Sequence, residues 1–338
     1  MDSTPFLRFL VAGKLQRDYI LTPAGKVALD APGGSLIYAA AGCKIWDNGI
    51  GLIARVGEDY PQDWLELFNQ YGFDCRGVKI LPRAVDLRYF AAYPDAETRS
   101  AANPVSHFSR LGLPFPKTLL GYVEPGNQLD SRVQPTEITI RVGDFPSDYL
   151  DATAAHIAPI DFLSHSLLPP ALRQGQVTTI TLDASPGYMN PIFWDDIPVV
   201  LRGISVFHSS EEKLRALFHG RSSDLWEMAE ALAGYGCEMI VIKCGAHGQL
   251  VYDHAHHTRW MVPAYPGRVV DPTGAGDAFC GGFLAGFRKT YDPLQAALCG
   301  NIAASFIVEG IGPFYGLDAL PTLAMMRLEM LRDMVRKG

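Results

Sequence analysis

"DPTGAGDAF", residues 271–279, decides how this chain is read. Three small residues, Gly274, Ala275 and Gly276, lead into a carboxylate, Asp277, and then into an apolar run, "AFCGGFLAGF". Phe279, Phe283 and Phe287 recur every four residues, which predicts one stripe of a helix. The first turn of a helix offers N–H groups without intrahelical partners and a partial positive charge. With almost no side chains before it, that turn is open to an anion. Asp277 could simply serve the helix dipole, worth ~0.3–1 kcal/mol. The alternative is catalytic: the amides hold a transferring phosphoryl group while Asp277 takes the proton of an attacking hydroxyl. Each glycine inside such a helix costs roughly 1 kcal/mol relative to Ala. Gly281, Gly282 and Gly286 therefore predict close packing or close approach of a ligand.

Outward from this motif, apolar strand-like runs alternate with helix-like segments. "LRFLVAG" (7–13) reads as a buried strand, "SLIYAAAGCKIW" (35–46) as a helix, "IGLIARVG" (50–57) as a strand and "DWLELFNQYG" (63–72) as a helix with a Gly stop. "TLLGYV", "AAHIAPI", "VTTITLD", "ISVFHSS" and "EMIVIKCG" are further short apolar runs. "EEKLRALFHG" and "DLWEMAEALAGYG" lie as helices between the later ones. This alternation predicts βαβ units and a largely parallel sheet. Two regions break it. Residues 14–31 read as a hairpin turning at "PAGK". "AVDLRYFAAY" (84–93) and "TEITIRV" (136–142) are strand-like with no helix between them, and predict a small separate sheet, a lid. The 94–135 connection is rich in Pro, Gly, Ser and Asn, and loops of that length are often functional.

The chain has 338 residues, 48% hydrophobic and 19% charged, enough for a sizeable packed core. A net charge of −7 excludes a long nucleic-acid footprint. It leaves a nucleotide open, because backbone amides bind phosphate without side-chain charge. The first residues lack a signal-peptide pattern, and no run approaches ~18 apolar residues, so no membrane span is expected. The six cysteines form no C-x-x-C pair, which predicts buried thiols in a reduced cytoplasmic setting. "GIGLIA" (49–54) fits a dinucleotide fingerprint, but its glycines open a strand instead of following one. No P-loop is present. His254, His256 and His257 read as a solvated hairpin tip, with metal binding as the competing reading.

"DPTGAGDAFCGGFLAG" resembles the C-terminal signature of the ribokinase-like (PfkB) carbohydrate kinases, D-T-x-G-A-G-D-x-F, with Pro272 where Thr is common. The resemblance implies an α/β fold: a three-layer α/β/α sandwich with a mostly parallel central sheet and a small β lid. It implies a single kinase domain over 1–338, with lid segments at about 14–31 and 84–142. By the same resemblance Asp277 is the catalytic base, the amides of Gly274, Ala275 and Gly276 form the anion hole, and Asp271 helps hold a monovalent cation (K⁺) and the loop.

The likeness runs along most of the chain. "VAGKLQRDYIL" is similar to the family's first strand and hairpin and places Asp18 on the acceptor. "PGGSLIYAAAG" is similar to its glycine pair, giving Gly33 and Gly34 under the sugar, with Tyr38, an aromatic wall, where Asn is common. "TLDASPG" resembles the D-x-N-x-R strand end, keeping Asp183 alone. "VIKCGAHGQLVYD" implies Lys243, Gly245 and Gly248 beside the nucleotide, and "NIAAS" places Asn301 by the adenine. "HSSEEKL" stands for N-x-x-E, which organises magnesium. Glu212 with Ser209 is the better match, and Glu211 with His208 the other register. The implied activity is ATP-dependent phosphorylation of a hydroxyl on a sugar or sugar-like small molecule, with Mg²⁺. Lids of this architecture can pair, so a homodimer is expected. Two other readings compete: a degenerate member that binds nucleotide or a small ligand without catalysis, and an NAD-linked oxidoreductase built on 49–54.

Overall fold

The computed structural model describes residues 6–124 and 128–338. The chain enters a central sheet with β1 (Phe9–Ala12) and leaves it for a hairpin, β2 (Gln16–Leu21) and β3 (Val27–Gly33). It returns through α1 (Ser35–Lys44), β4 (Ile50–Gly57), α2 (Gln62–Gln70) and β5 (Phe73–Leu81). An outlying strand, β6 (Arg88–Ala92), and α3 (Pro104–Arg110) follow. Then come β7 (Ala154–Ile157), α4 (Phe162–Leu172), β8 (Thr179–Asp183), α5 (Ile197–Leu201) and β9 (Val206–Ser210). The last third holds α6 (Glu211–Leu217), α7 (Leu225–Ala233), β10 (Met239–Lys243), β11 (Gln249–Asp253) and β12 (Thr258–Val262). It ends with α8 (Ala275–Thr290), α9 (Pro293–Val308), α10 (Pro321–Arg332) and β13 (Arg336–Lys337).

The central sheet has ten strands in the order β13-β12-β11-β10-β9-β8-β7-β1-β4-β5. From β5 to β10 the neighbours are parallel; β11, β12 and β13 extend the sheet antiparallel. All residues of β4 are buried, as expected of a parallel strand covered on both faces. Successive side chains of β1 serve opposite faces. Leu10 and Ala12 join the core under α4, α5 and α7, while Phe9 and Val11 join the core under α1 and α8. The glycines of α8 are explained by contact. A Cβ on Gly281 would lie 1.8 Å from the Ala39 carbonyl oxygen, and one on Gly42 would lie 2.0 Å from that of Ala278. α1 and α8 therefore touch backbone to backbone. The Phe279, Phe283 and Phe287 stripe is buried against α9 and α10.

The lid is a separate three-stranded sheet, β3-β2-β6. Its outer face carries Tyr19, Leu21, Phe90 and Ala92, packed against Phe108 of α3 and Leu119. The 94–135 connection thus covers the lid with part of its own length, residues 125–127 lying outside the described residues. The expected hairpin at 14–31 is present. The strand expected over 136–142 is not: this stretch is turn and 3₁₀ backbone. Its alternating pattern serves instead to fix it to the main body, where Thr139 donates to Asp161 at 2.5 Å and the Ile140 amide donates to Ser164 Oγ. "TLLGYV" is likewise not a strand, but a 3₁₀ turn at Lys117–Leu119 and its exit.

Candidate active site

The cleft lies between the inner lid face and the ends of the central strands, at the start of α8. Gly274 caps that helix with φ 74°, a left-handed conformation that glycine adopts at little cost. A Cβ there would meet the Tyr38 ring at 2.1 Å, so Tyr38 rests flat against the loop. Asp271 shapes the approach by accepting the Thr273 amide at 2.9 Å. Thr273 Oγ1 in turn donates to the hydroxyl of Tyr93, at the end of β6, at 3.3 Å. The lid thus touches the anion loop directly. Gly276 is exposed and Asp277 is half-buried beside it. Burial pushes the Asp277 carboxyl up to about 7, against the pull of Lys243, Lys213 and Arg99. A carboxyl held there is half ionised at neutral pH, as suits a general base.

Facing this loop is the acceptor side. A β-bulge at Asp18/Tyr19 turns the Asp18 carboxylate inward. Asp18 is 3% exposed and its Oδ1 has no hydrogen-bond partner. A Cβ on Gly33 would lie 1.8 Å from Asp18 Oδ2, so only glycine leaves room for that side chain. Burial, then the charges of Asp271 and Asp277, hold Asp18 well above the usual carboxylate range, and the Gly34 amide opposes them. An unpaired buried carboxylate costs free energy unless a ligand hydroxyl or cation completes it. Tyr38 feels the charges of Asp18, Asp271 and Asp277 together, so all four lie within electrostatic range of one another. Tyr89 and Tyr93 stand on the inner lid face, and Arg99 donates to Tyr89 Oη at 3.1 Å.

On the other flank Asp183, at the end of β8, is shared by two lysines. Lys243 Nζ donates to Oδ2 at 2.6 Å and Lys213 Nζ to Oδ1 at 3.1 Å. Burial alone would protonate Asp183, but the two ammonium groups hold it well below the usual range. The same pairing keeps Lys243 charged despite its burial. Lys243 also donates to the Gly276 carbonyl oxygen at 3.3 Å, which joins the end of β10 to the anion loop.

Most expected residues meet in this cleft: Asp277 with the 274–276 amides, Asp18, Gly33, Gly34, Tyr38, Asp183, Lys243 and Asp271. Others do not. Gly245 and Gly248 make the tight turn between β10 and β11, and a Cβ on Gly248 would lie 2.0 Å from the Val262 carbonyl oxygen. Both N–H groups of Asn301 are used, by Gln249 Oε1 and the Pro263 carbonyl oxygen, and its Oδ1 accepts the Tyr265 amide. Glu212 stands at the rim, exposed and within the field of Arg99. Ser210 caps α6 and its hydroxyl accepts the Lys213 amide. That register leaves Glu212 exposed and pairs Glu211 with Arg215, while Lys213 points to Asp183. Residues 49–54 form the entry to β4, with no helix opening on the glycines, so the dinucleotide reading falls. Lys213, Arg99, Tyr89 and Tyr93 escaped the sequence reading. The cap signal of Ser210 would have found Lys213. β-alternation along 88–92 would have aligned Tyr89 with Asp18, its register partner.

A parallel α/β sandwich with a β lid over a helix N-terminus, and a poised carboxylate beside it, defines a small-molecule phosphotransferase. Comparison with known proteins gives the family. The profile of the pfkB family carbohydrate kinases matches residues 151–319, and the chain belongs to that family. It is 28% identical over 287 residues to the cytidine kinase of Thermococcus kodakarensis, covering 84% of this chain and 89% of the relative. It is 27% identical over 269 residues to the 2-dehydro-3-deoxygluconokinase of Thermoproteus tenax, covering 77% and 74%. Among solved structures, the E. coli protein described as ribokinase II, in complex with ATP and Mg²⁺, superposes with a TM-score of 0.70 at 19% identity, covering 96% of this chain and all of that one. The Burkholderia thailandensis nucleoside kinase in complex with inosine gives 0.68 at 18% identity, covering 96% and 98%. No described helix is long and apolar enough to cross a membrane.

Proposed function

We propose that this chain transfers the γ-phosphoryl group of ATP to a hydroxyl of a sugar or sugar-like small molecule. The observation that carries the reading is Asp277, held near neutrality next to the amides of Gly274 and Gly276, while the Ala275 amide donates to the Pro272 carbonyl oxygen at 3.3 Å. Asp277 takes the hydroxyl proton, and the amides and Lys243 stabilise charge on the phosphoryl oxygens. Asp18 orients the acceptor by accepting a hydrogen bond from one of its hydroxyls, and Tyr38, Tyr89 and Tyr93 supply apolar walls. These aromatic surfaces suit a flat ring, so nucleosides head the acceptor panel, as the cytidine kinase relative supports. The contact between Tyr93 and Thr273 couples lid closure to the anion loop, which excludes water at transfer.

Among the described residues no group of three or more His, Cys, Asp or Glu side chains is placed to hold a metal. Asp183 is already occupied by two ammonium groups, and Glu212 is exposed within the field of Arg99. Magnesium enters the proposal only as the ion that ATP itself carries. A K⁺ near Asp271 is part of the proposal, tested by comparing turnover in K⁺ and Na⁺. A homodimer would have to form away from the outer lid face, which α3 covers, and the free edge of β3 with exposed Val27 and Leu29 is the candidate surface. Light scattering tests it. The kinase reading itself is tested by ADP release from ATP–Mg²⁺ against cytidine, inosine, ribose, fructose phosphate and 2-dehydro-3-deoxygluconate. Acceptor-dependent ADP release with at least one of them is expected. Melting temperatures unmoved by ATP–Mg²⁺, with no ADP released, would remove the reading.

A further inference from the structure

Two ammonium groups share one carboxylate at the end of β8. Lys243 alone neutralises Asp183, at 2.6 Å and with its side chain 12% exposed. Lys213 adds a second cation at 3.1 Å, with its side chain 17% exposed. Holding another charge at so enclosed a place costs desolvation that Asp183 does not require. Asp183 therefore balances only one of the two ammonium charges, and the nearest further carboxyl is the partly ionised Asp277. The positions of the two ammonium groups are fixed. Lys213 Nζ also donates to the Ala184 carbonyl oxygen at 2.5 Å, and Lys243 reaches the Gly276 carbonyl oxygen in the first turn of α8. The charge of Lys213 reaches the Asp277 carboxyl, so the ammonium lies within electrostatic range of the anion loop. An ammonium has three donors, and Lys213 spends two on protein oxygens. The third is available.

We propose that Lys213 binds a terminal phosphate oxygen of the nucleotide directly, as a protein-borne cation fixed between Asp183 and the Ala184 carbonyl oxygen. The proposal rests on the kinase reading above. It also explains why Asp183 is kept ionised: its charge anchors two lysines in fixed positions, so that one of them can serve the phosphates without a search through rotamers. Nothing is transferred to or from Lys213; it orients and neutralises.

The test is calorimetric titration of ATP and, separately, of adenosine, both with EDTA present, into the wild type, Lys213→Met and Lys213→Arg. Melting temperatures first establish that each variant is folded, with Lys213→Gln in place of Lys213→Met if that variant is not. The wild type binds ATP without a divalent ion. Lys213→Met weakens ATP at least tenfold and leaves adenosine within twofold, and Lys213→Arg recovers most of the loss. ATP affinity within twofold of the wild type in Lys213→Met overturns the proposal. So does an equal loss for ATP and adenosine, which marks a purely structural role, and so does wild-type binding of ATP only when Mg²⁺ is added. Failure of the wild type to bind ATP with or without Mg²⁺ instead removes the kinase reading, and this proposal with it.

Discussion

The pH dependence of Asp277 links activity and stability in one residue. Its carboxyl ionises at about 7 in the folded chain, against 3.8 for an ordinary aspartate. A general base works only when ionised, so kcat/KM should rise with pH and level off above about 7. At pH 6 about one tenth of the plateau is expected, and at pH 5 about one hundredth. Stability runs the other way. Between pH 4 and 7 the unfolded chain releases this proton while the folded chain keeps it, so ionisation favours unfolding as pH rises. The penalty is absent near pH 4 and complete above pH 7. At 1.36 kcal/mol per pH unit its ceiling is about 4 kcal/mol. Asp277 is partly open to water, which reduces the expected value to roughly 1–2 kcal/mol. Asp277→Asn removes the penalty along with the base. Its kcat should fall at least about a hundredfold. Its melting temperature should exceed that of the wild type at pH 8 and match it at pH 4. The assays are a steady-state pH profile and calorimetric melting at both pH values. A flat kcat/KM between pH 5 and 7, or no pH-dependent gap in melting, would refute the reasoning.

Three further outcomes follow from particular contacts. Gly33→Ala puts a Cβ against the Asp18 carboxylate, so the acceptor KM should rise at least tenfold while ATP affinity measured by titration stays within twofold. Arg99 is among the charges that lower the proton affinity of Asp277, so Arg99→Met should move the acid limb of the pH profile upward; an unmoved or lowered limb counts against that placement. Phe108→Ala opens the small core between α3 and the lid, at a local cost of about 3 kcal/mol, and should speed amide exchange in β2 and β6 but not in β4.

The parallel sheet and the α8 motif were legible because both repeat a simple period. Buried strands at β1 and β10 are nearly continuous apolar runs, and α8 shows its Phe stripe and its glycines at once. The lid was half legible. Its hairpin carries turn chemistry, but "TEITIRV" alternates like a strand and is instead anchored through Thr139 and Ile140 to α4 and its cap, partners remote in sequence. The site divides in the same way. Asp277, Asp18 and the glycines lie in local motifs. Lys213 was hidden because reading "HSSEEKL" for its acids ignored the cap at Ser210, which sets which side chain turns into the cleft. Arg99 lies in a polar loop, and only the pairing of Ala92 with Ser100 brings it beside Tyr89.

The most direct measurement is transfer of the γ-phosphate of labelled ATP to a nucleoside or sugar acceptor at pH 8, in the wild type and in Asp277→Asn. The account predicts label in a phosphorylated acceptor with the wild type, at least a hundredfold less with the variant, and equal ATP affinity in both. Label appearing only as inorganic phosphate, or transfer undiminished in Asp277→Asn, would contradict it.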